Sequence, residues 1–152
     1  MSLHRSAEAL NVLTSNVIAA AIKIHRALGP GLLEHAYLAC LTWELGKVGL
    51  RFEVQKAIPL VYGGVKTDCA YRADLLVEDA VLVEVKALDV LAAVHIRQLH
   101  TYVRLADCQV GLLLNFGAPT MKAGIKRIVN GFPDREHAGG FNTQRPPRGR
   151  ED

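Results

Sequence analysis

The chain reads as an α/β domain with a mixed sheet, and three features of the sequence predict it. Two helix-period segments open the chain, three strand-like segments separated by tight turns follow, and then a helix-period segment precedes a fully apolar run, VGLLLNF. Helices before and between strands, with a crossover helix leading to a buried strand, give an α/β sheet with both parallel and antiparallel pairs.

The first helix is expected over residues 8–28. Leu10, Leu13, Val17, Ala20, Ala21, Ile24 and Leu28 recur at three- and four-residue spacing, and Gly29, Pro30 and Gly31 stop the run. A second helix is expected over 31–47, with Leu33, Tyr37, Cys40, Leu41, Glu44 and Leu45 along one broad side and Gly49 past its end. Residues 51–62 and 65–77 read as strands joined by Gly63 and Gly64. Residues 78–80 form a short turn, and 81–88 form a third strand rich in valine. A helix is expected over 90–106 and an interior strand over 109–116, with a last short element within 118–130. From Gly131 the chain turns rich in Gly, Pro and Arg and loses periodicity. The expected organisation is therefore one domain over 1–130 and a disordered tail over 131–152.

Composition narrows the function. At 152 residues the chain supports one domain with a real core. The net charge of +3 is compatible with a polyanionic partner. In the tail four Arg offset two Asp and two Glu, so the basic excess lies in the preceding residues. Cys40, Cys69 and Cys108 are odd in number and form no CxxC pair, which reads as free thiols in a reducing compartment. There is no HExxH, no GxGxxG, no GxxxxGK[ST] and no serine nucleophile elbow. The sequence has neither a signal-peptide pattern nor a run of about 18 apolar residues, so the expectation is a cytoplasmic protein away from membranes.

The chemistry gathers on the second hairpin. With a turn at 78–80, Val77 faces Val81 and Asp74 faces Glu84, and opposed residues of an antiparallel pair share a face. Lys86, two residues on, shares that face too. Two carboxylates and an amine then occupy one patch, while Val81, Val83 and Val85 fill the other side of the strand. Opposed carboxylates call for a counter-charge, which Lys86 or a hard divalent cation supplies. A solvated hairpin face with ordinary surface charges accounts for the same spacing. On the following helix, His95, Gln98 and Tyr102 fall at i, i+3 and i+7 and project together, as hydrogen-bonding groups for nucleic acid or as ordinary polar surface. Glu34 falls in the first turn of the second helix. There it serves either the helix dipole or a metal site, and Tyr37 one turn later either supports it or packs in the core. Arg72 would stand across from Lys86. Lys122, Lys126 and Arg127, with no acid over 119–130, are a second candidate for phosphate contact or plain solvated surface.

These residues resemble a known family. Glu34, Asp74, the Glu84-to-Lys86 triplet and the Gln98-to-Tyr102 element follow the motif series of PD-(D/E)XK nucleases. The QxxxY element is similar to the RecB-like and lambda-exonuclease-like branch. GLLEHAY, AYRADLLVE, VLVEVKAL, QLHTYVRL, VGLLLNFG and IKRIVN together resemble the GxxExxY protein family over roughly residues 8–130. The resemblance implies a restriction-endonuclease-like core, a mixed sheet flanked by helices, with Mg²⁺ or Mn²⁺ as cofactor. It implies Asp74, Glu84 and the Val85 carbonyl as metal ligands with Glu34 assisting, Lys86 acting on the attacking water, and Gln98 and Tyr102 positioning the substrate or the carboxylates. It further implies phosphodiester hydrolysis, with DNA expected over RNA and exo or endo action open. A domain this small is compatible with a homodimer or a larger complex. The alternative is a nucleic-acid-binding or assembly module that keeps the nuclease fold without turnover.

Overall fold

The computed structural model describes residues 4–130, apart from the side chains of residues 68–70. The expected tail and the Cys69 side chain therefore lie outside the described residues. Of the other two thiols, Cys40 is half-buried and Cys108 buried, and neither is in a disulfide.

Helix α1 spans Ala7–Leu28. It starts where Ser6 Oγ accepts the Ala9 amide at 3.1 Å and ends at Gly29, whose φ of 68° places it in the left-handed region that favours glycine. Leu10, Leu13, Val17, Ala21 and Ile24 are buried, as the three- and four-residue spacing predicts. At 22 residues α1 is also long and apolar enough to cross a membrane by length and mean composition, although it holds no unbroken run of about 18 apolar residues. Its apolar stripe here packs into the core instead. Helix α2 spans Glu34–Lys47, starting three residues later than expected. Tyr37, Leu41 and Leu45 are its buried face, whereas Leu33 precedes the helix and is 70% exposed.

Strands β1 (Phe52–Tyr62), β2 (Val65–Val77) and β3 (Val81–Lys86) are antiparallel neighbours. Helix α3 (Ala93–Leu105) crosses over to β4 (Val110–Asn115), which runs parallel to β3. A 3-10 turn at Lys122–Gly124 leads into β5 (Ile125–Val129), antiparallel to β4. The last short element of the sequence reading is therefore a strand. The sheet order is β1-β2-β3-β4-β5, so the apolar β4 is interior, as expected.

α1 and α2 cover one face of the sheet, packing on Val81, Val83, Val85, Leu112 and Leu114. α3 covers the other, over Leu82, Leu113 and Ile128. Close approach of α3 depends on Gly111, where an added Cβ would lie 2.5 Å from Val103 Cγ2.

β1 and β2 change faces midway. Phe52, Leu75 and Val77 belong to the α1–α2 core, yet Ile58 and Ala73, an even number of residues away, belong to the α3 core. The switch falls at Gln55, whose φ of 53° departs from extended backbone within β1, and at its neighbour Asp74. The register itself holds across Gln55 and shifts between Ile58 and Leu60, at Pro59, which has no amide to give the ladder.

β3 ends at Lys86 rather than continuing to residue 88. Asn115, buried at the end of β4, accepts the Leu88 amide at 2.8 Å and donates to the Leu88 carbonyl at 2.9 Å. That side chain takes the place of further strand pairing and fixes the loop that leaves Lys86.

Candidate active site

The β2–β3 ladder matches the predicted register at Val77–Val81, Leu76–Leu82 and Leu75–Val83, and then stops. Asp74 and Glu84, the next pair in line, do not form a rung. They are locked together by side chains instead. The Asp74 amide donates to Glu84 Oε1 at 3.2 Å, and the Val85 amide donates to Asp74 Oδ2 at 2.8 Å. The face switch at Gln55 and Asp74 makes this interlock, and Gln55 Nε2 also donates to Asp74 Oδ1 at 3.3 Å.

Glu84 is buried, 5% exposed, on the α3 face of the sheet. Desolvation pushes its carboxyl up to about 7, against the Asp74 amide and the Lys86 charge, which pull it down, while the charge of Glu34 raises it. The Tyr71 hydroxyl donates to Glu84 Oε1, and the Tyr71 ring stacks on Tyr102 at 3.4 Å between centroids. Tyr102 thus reaches the carboxylate through Tyr71. Lys86 is half-buried at the end of β3 and, by strand alternation, on the face of Glu84. Glu34 is exposed at the first position of α2. The approach to it is set by Tyr37, whose hydroxyl donates to the Gly29 carbonyl at 2.6 Å and accepts the Leu32 amide at 3.1 Å, with its ring stacked on Phe116. Tyr37 therefore packs in the core and shapes the turn before Glu34.

A hard divalent cation fits this chemistry. The donors are oxygens: the Asp74 and Glu84 carboxylates and the Val85 carbonyl. Since Val85 N–H points at Asp74, its carbonyl leaves the strand on the same edge, past the last rung. A buried carboxylate with a raised pKa is also one that a cation stabilises. Among the described residues no group of three or more His, Cys, Asp or Glu is gathered for a metal, so carbonyl and water oxygens would complete the shell.

Other expected site residues lie elsewhere. The β2–β3 ladder ends at Leu75–Val83, so no rung sets Arg72 across from Lys86, and Arg72 donates instead to the Gln55 carbonyl of β1 at 3.4 Å. Tyr71 and Ala73 turn to the α3 side, which sends Arg72 to the other face. His95 Nδ1 accepts the Ala92 amide at 3.0 Å, capping α3, so only Nε2 remains for a substrate. Gln98 is exposed on α3. Lys122, Lys126 and Arg127 are all exposed but do not form one patch. Arg127 donates to Asn11 of α1 at 3.0 Å, while Lys126 falls on the opposite face of β5, with Ile128.

The sequence reading missed Tyr71, Gln55 and Asn115. Tyr71 lies three residues before Asp74 in a stretch already singled out, and an asparagine closing an otherwise apolar strand signals a buried polar group that needs partners.

Among curated proteins no sequence matches the chain. A solved structure described as the crystal structure of SSO0001 aligns over 90% of this chain and 89% of that one, at 15% identity and a TM-score of 0.40. The profile of the PD-(D/E)XK nuclease superfamily matches residues 11–128, a span that runs from α1 to β5 and holds the interlocked Asp74 and Glu84. The chain belongs to the PD-(D/E)XK nuclease superfamily.

Proposed function

We propose that the protein is a cytoplasmic, Mg²⁺- or Mn²⁺-dependent nuclease that hydrolyses phosphodiester bonds, with DNA preferred over RNA. The observation that carries this reading is the interlock of Asp74 with buried Glu84 beside Lys86, at the point where the β2–β3 ladder ends. Membership of a superfamily whose nucleases typically use divalent metal ions supports the cofactor. The preference for DNA rests on the likeness of Gln98 and Tyr102 to the QxxxY element.

In the reaction, water adds its oxygen to phosphorus, a P–O ester bond breaks, and the departing oxygen takes a proton. Asp74, Glu84 and the Val85 carbonyl would hold the cation, with Glu34 at the rim. When bound, the cation supplies Lewis-acid polarisation of the phosphate and a lowered pKa for a water. Lys86 stabilises the negative charge that grows on the phosphate and orients the attacking water. Tyr71, braced by Tyr102, fixes Glu84 Oε1 and leaves Oε2 to the cation.

A second reading, a nucleic-acid-binding module without turnover, draws on one observation: both Asp74 oxygens and Glu84 Oε1 already accept protein hydrogen bonds. One experiment separates the two. End-labelled single- and double-stranded DNA and RNA are incubated with Mg²⁺, Mn²⁺ or EDTA, beside Asp74→Ala and Lys86→Ala. Cleavage that needs metal and is lost in both variants supports the nuclease, and its products divide exo from endo action. Binding without cleavage in any condition, unchanged in Asp74→Asn, supports the module.

A further inference from the structure

α3 carries three basic side chains on a flank that the site does not use. Arg97, His100 and Arg104 are exposed and fall at i, i+3 and i+7, and the helix contains no acidic residue. The helix is oriented by its other contacts. Tyr102 meets Tyr71 of β2, while Leu99 and Val103 rest over Gly111 of β4, where Val103 and Ile128 of β5 both approach. The basic flank therefore lies toward β5. Lys126 projects on the same side, since Ile128, two residues on, belongs to the α3 core.

Among the described residues these cations have no acidic partner, a state they share with Arg26, Lys66 and Lys122. Arg5, Lys23, Lys47, Arg51 and Lys56 are each in a salt bridge, but among the described residues Arg97, Arg104 and Lys126 are in none. Lys126 is also in register with the site. Glu84 pairs with Leu113, and Leu113 with Lys126, so two strand spacings, about 10 Å, separate the row's ends. Arg97 and Arg104 lie about 10 Å apart along the helix axis.

We infer that the surface of α3 and β5 that carries Arg97, His100, Arg104 and Lys126 holds the phosphodiester backbone of the nucleic acid flanking the scissile bond. This rests on the nuclease reading and gives its substrate a track. The track keeps Lys126 from the patch of Lys122, Lys126 and Arg127 that spacing suggested, and joins it to Arg97, His100 and Arg104 instead of the other two.

The test measures binding of fluorescein-labelled single-stranded and duplex DNA to the full chain in EDTA, across a series of KCl concentrations. Each phosphate contact adds about 0.7 (single strand) to 0.9 (duplex) to the slope of log affinity against log salt. Arg97→Gln/Arg104→Gln is expected to lower the slope by about 1.4 to 1.8 and to weaken binding tenfold or more. Arg97→Lys/Arg104→Lys should keep the slope, and Arg26→Gln, on α1 across the sheet, should match wild type. Whichever DNA form loses more is the one that occupies the track. A wild type that cleaves and binds with a slope unchanged in the double Gln variant overturns the track and leaves the nuclease reading standing. A wild type that neither binds nor cleaves any nucleic acid overturns both.

Discussion

The Val85 amide donates to the Asp74 carboxylate across 2.8 Å, in the position a backbone carbonyl of β2 would occupy if the ladder ran on. A side chain has replaced a rung. The exchange leaves the strand edge beyond Val83 free of backbone pairing from β2 and places charge there. The Asp74 amide completes the exchange by donating to Glu84. Each carboxylate is thus held by the other residue's strand, so neither can move alone.

Glu84 makes the metal-free fold lose stability as pH rises from about 4.5 to 7. Its folded pKa, about 7, is above its unfolded value because burial disfavours the charge. The folded state then binds more protons than the unfolded one between about pH 4.5 and 7, so stability falls as pH rises through that window and levels off above it. The loss from this group is at most about 3 kcal/mol. In EDTA, denaturant melts of wild type are expected to weaken from pH 5 to pH 8, and Glu84→Gln should flatten most of that slope. A profile with the same slope in both proteins counts against the assignment.

Bound cation should reverse that weakness. A ligand that binds only the folded state stabilises it by about 2.7 kcal/mol at a hundred times its dissociation constant. Mg²⁺ or Mn²⁺ is therefore expected to raise the midpoint of thermal unfolding at pH 8, and to do so less at pH 5, where protons compete for Glu84. Asp74→Ala should abolish the rise. A rise of equal size in that variant would place the cation elsewhere.

Tyr71→Phe removes one hydroxyl and keeps the ring that stacks on Tyr102. The cost to stability is expected to be about 1 to 2 kcal/mol, since Glu84 still accepts the Asp74 amide. Cleavage should fall further, about tenfold or more in kcat with little change in KM, because the carboxylate loses its fixed orientation. Tyr102→Phe, which keeps the stack, should behave as wild type. If it lost activity as Tyr71→Phe does, the Tyr102 hydroxyl would itself touch the substrate.

Asn115→Ala leaves the Leu88 amide and carbonyl without their partners, each worth about 1 to 3 kcal/mol when buried. Chemical denaturation should show a loss of that order. Cleavage should fall with it, because the loop that leaves Lys86 is no longer fixed. Full activity in a destabilised Asn115→Ala would show that Lys86 is held by β3 alone.

How far the sequence was legible can be judged at these same residues. Element order followed from periodicity, and the register Val77–Val81 followed from a three-residue turn, because both are local. Extending that register to Asp74 and Glu84 identified the right pair but the wrong contact. Strand alternation assumes extended backbone at every residue, and Gln55, with φ of 53°, departs from it without a glycine to announce the change. Arg72 was misplaced for the same reason. His95 looked free because helical spacing locates a side chain on a face but does not show that its ring caps the helix start. The stack of Tyr71 on Tyr102 joins elements about thirty residues apart, and no local pattern encodes it.

The parallel pairing of β3 with β4 has a consequence for synthesis. Glu84 lies on a strand that gains its second neighbour only when Val110–Asn115 has been made, and the loop after Lys86 is fixed only by Asn115 at that strand's end. A growing chain therefore carries Glu34, Asp74, Glu84 and Lys86 before β4 flanks β3 and Asn115 fixes the loop after Lys86. Completion of the site therefore waits on a strand made after its acidic residues and its lysine. Fragments ending at residue 106 should be inert toward every substrate that the full chain cleaves.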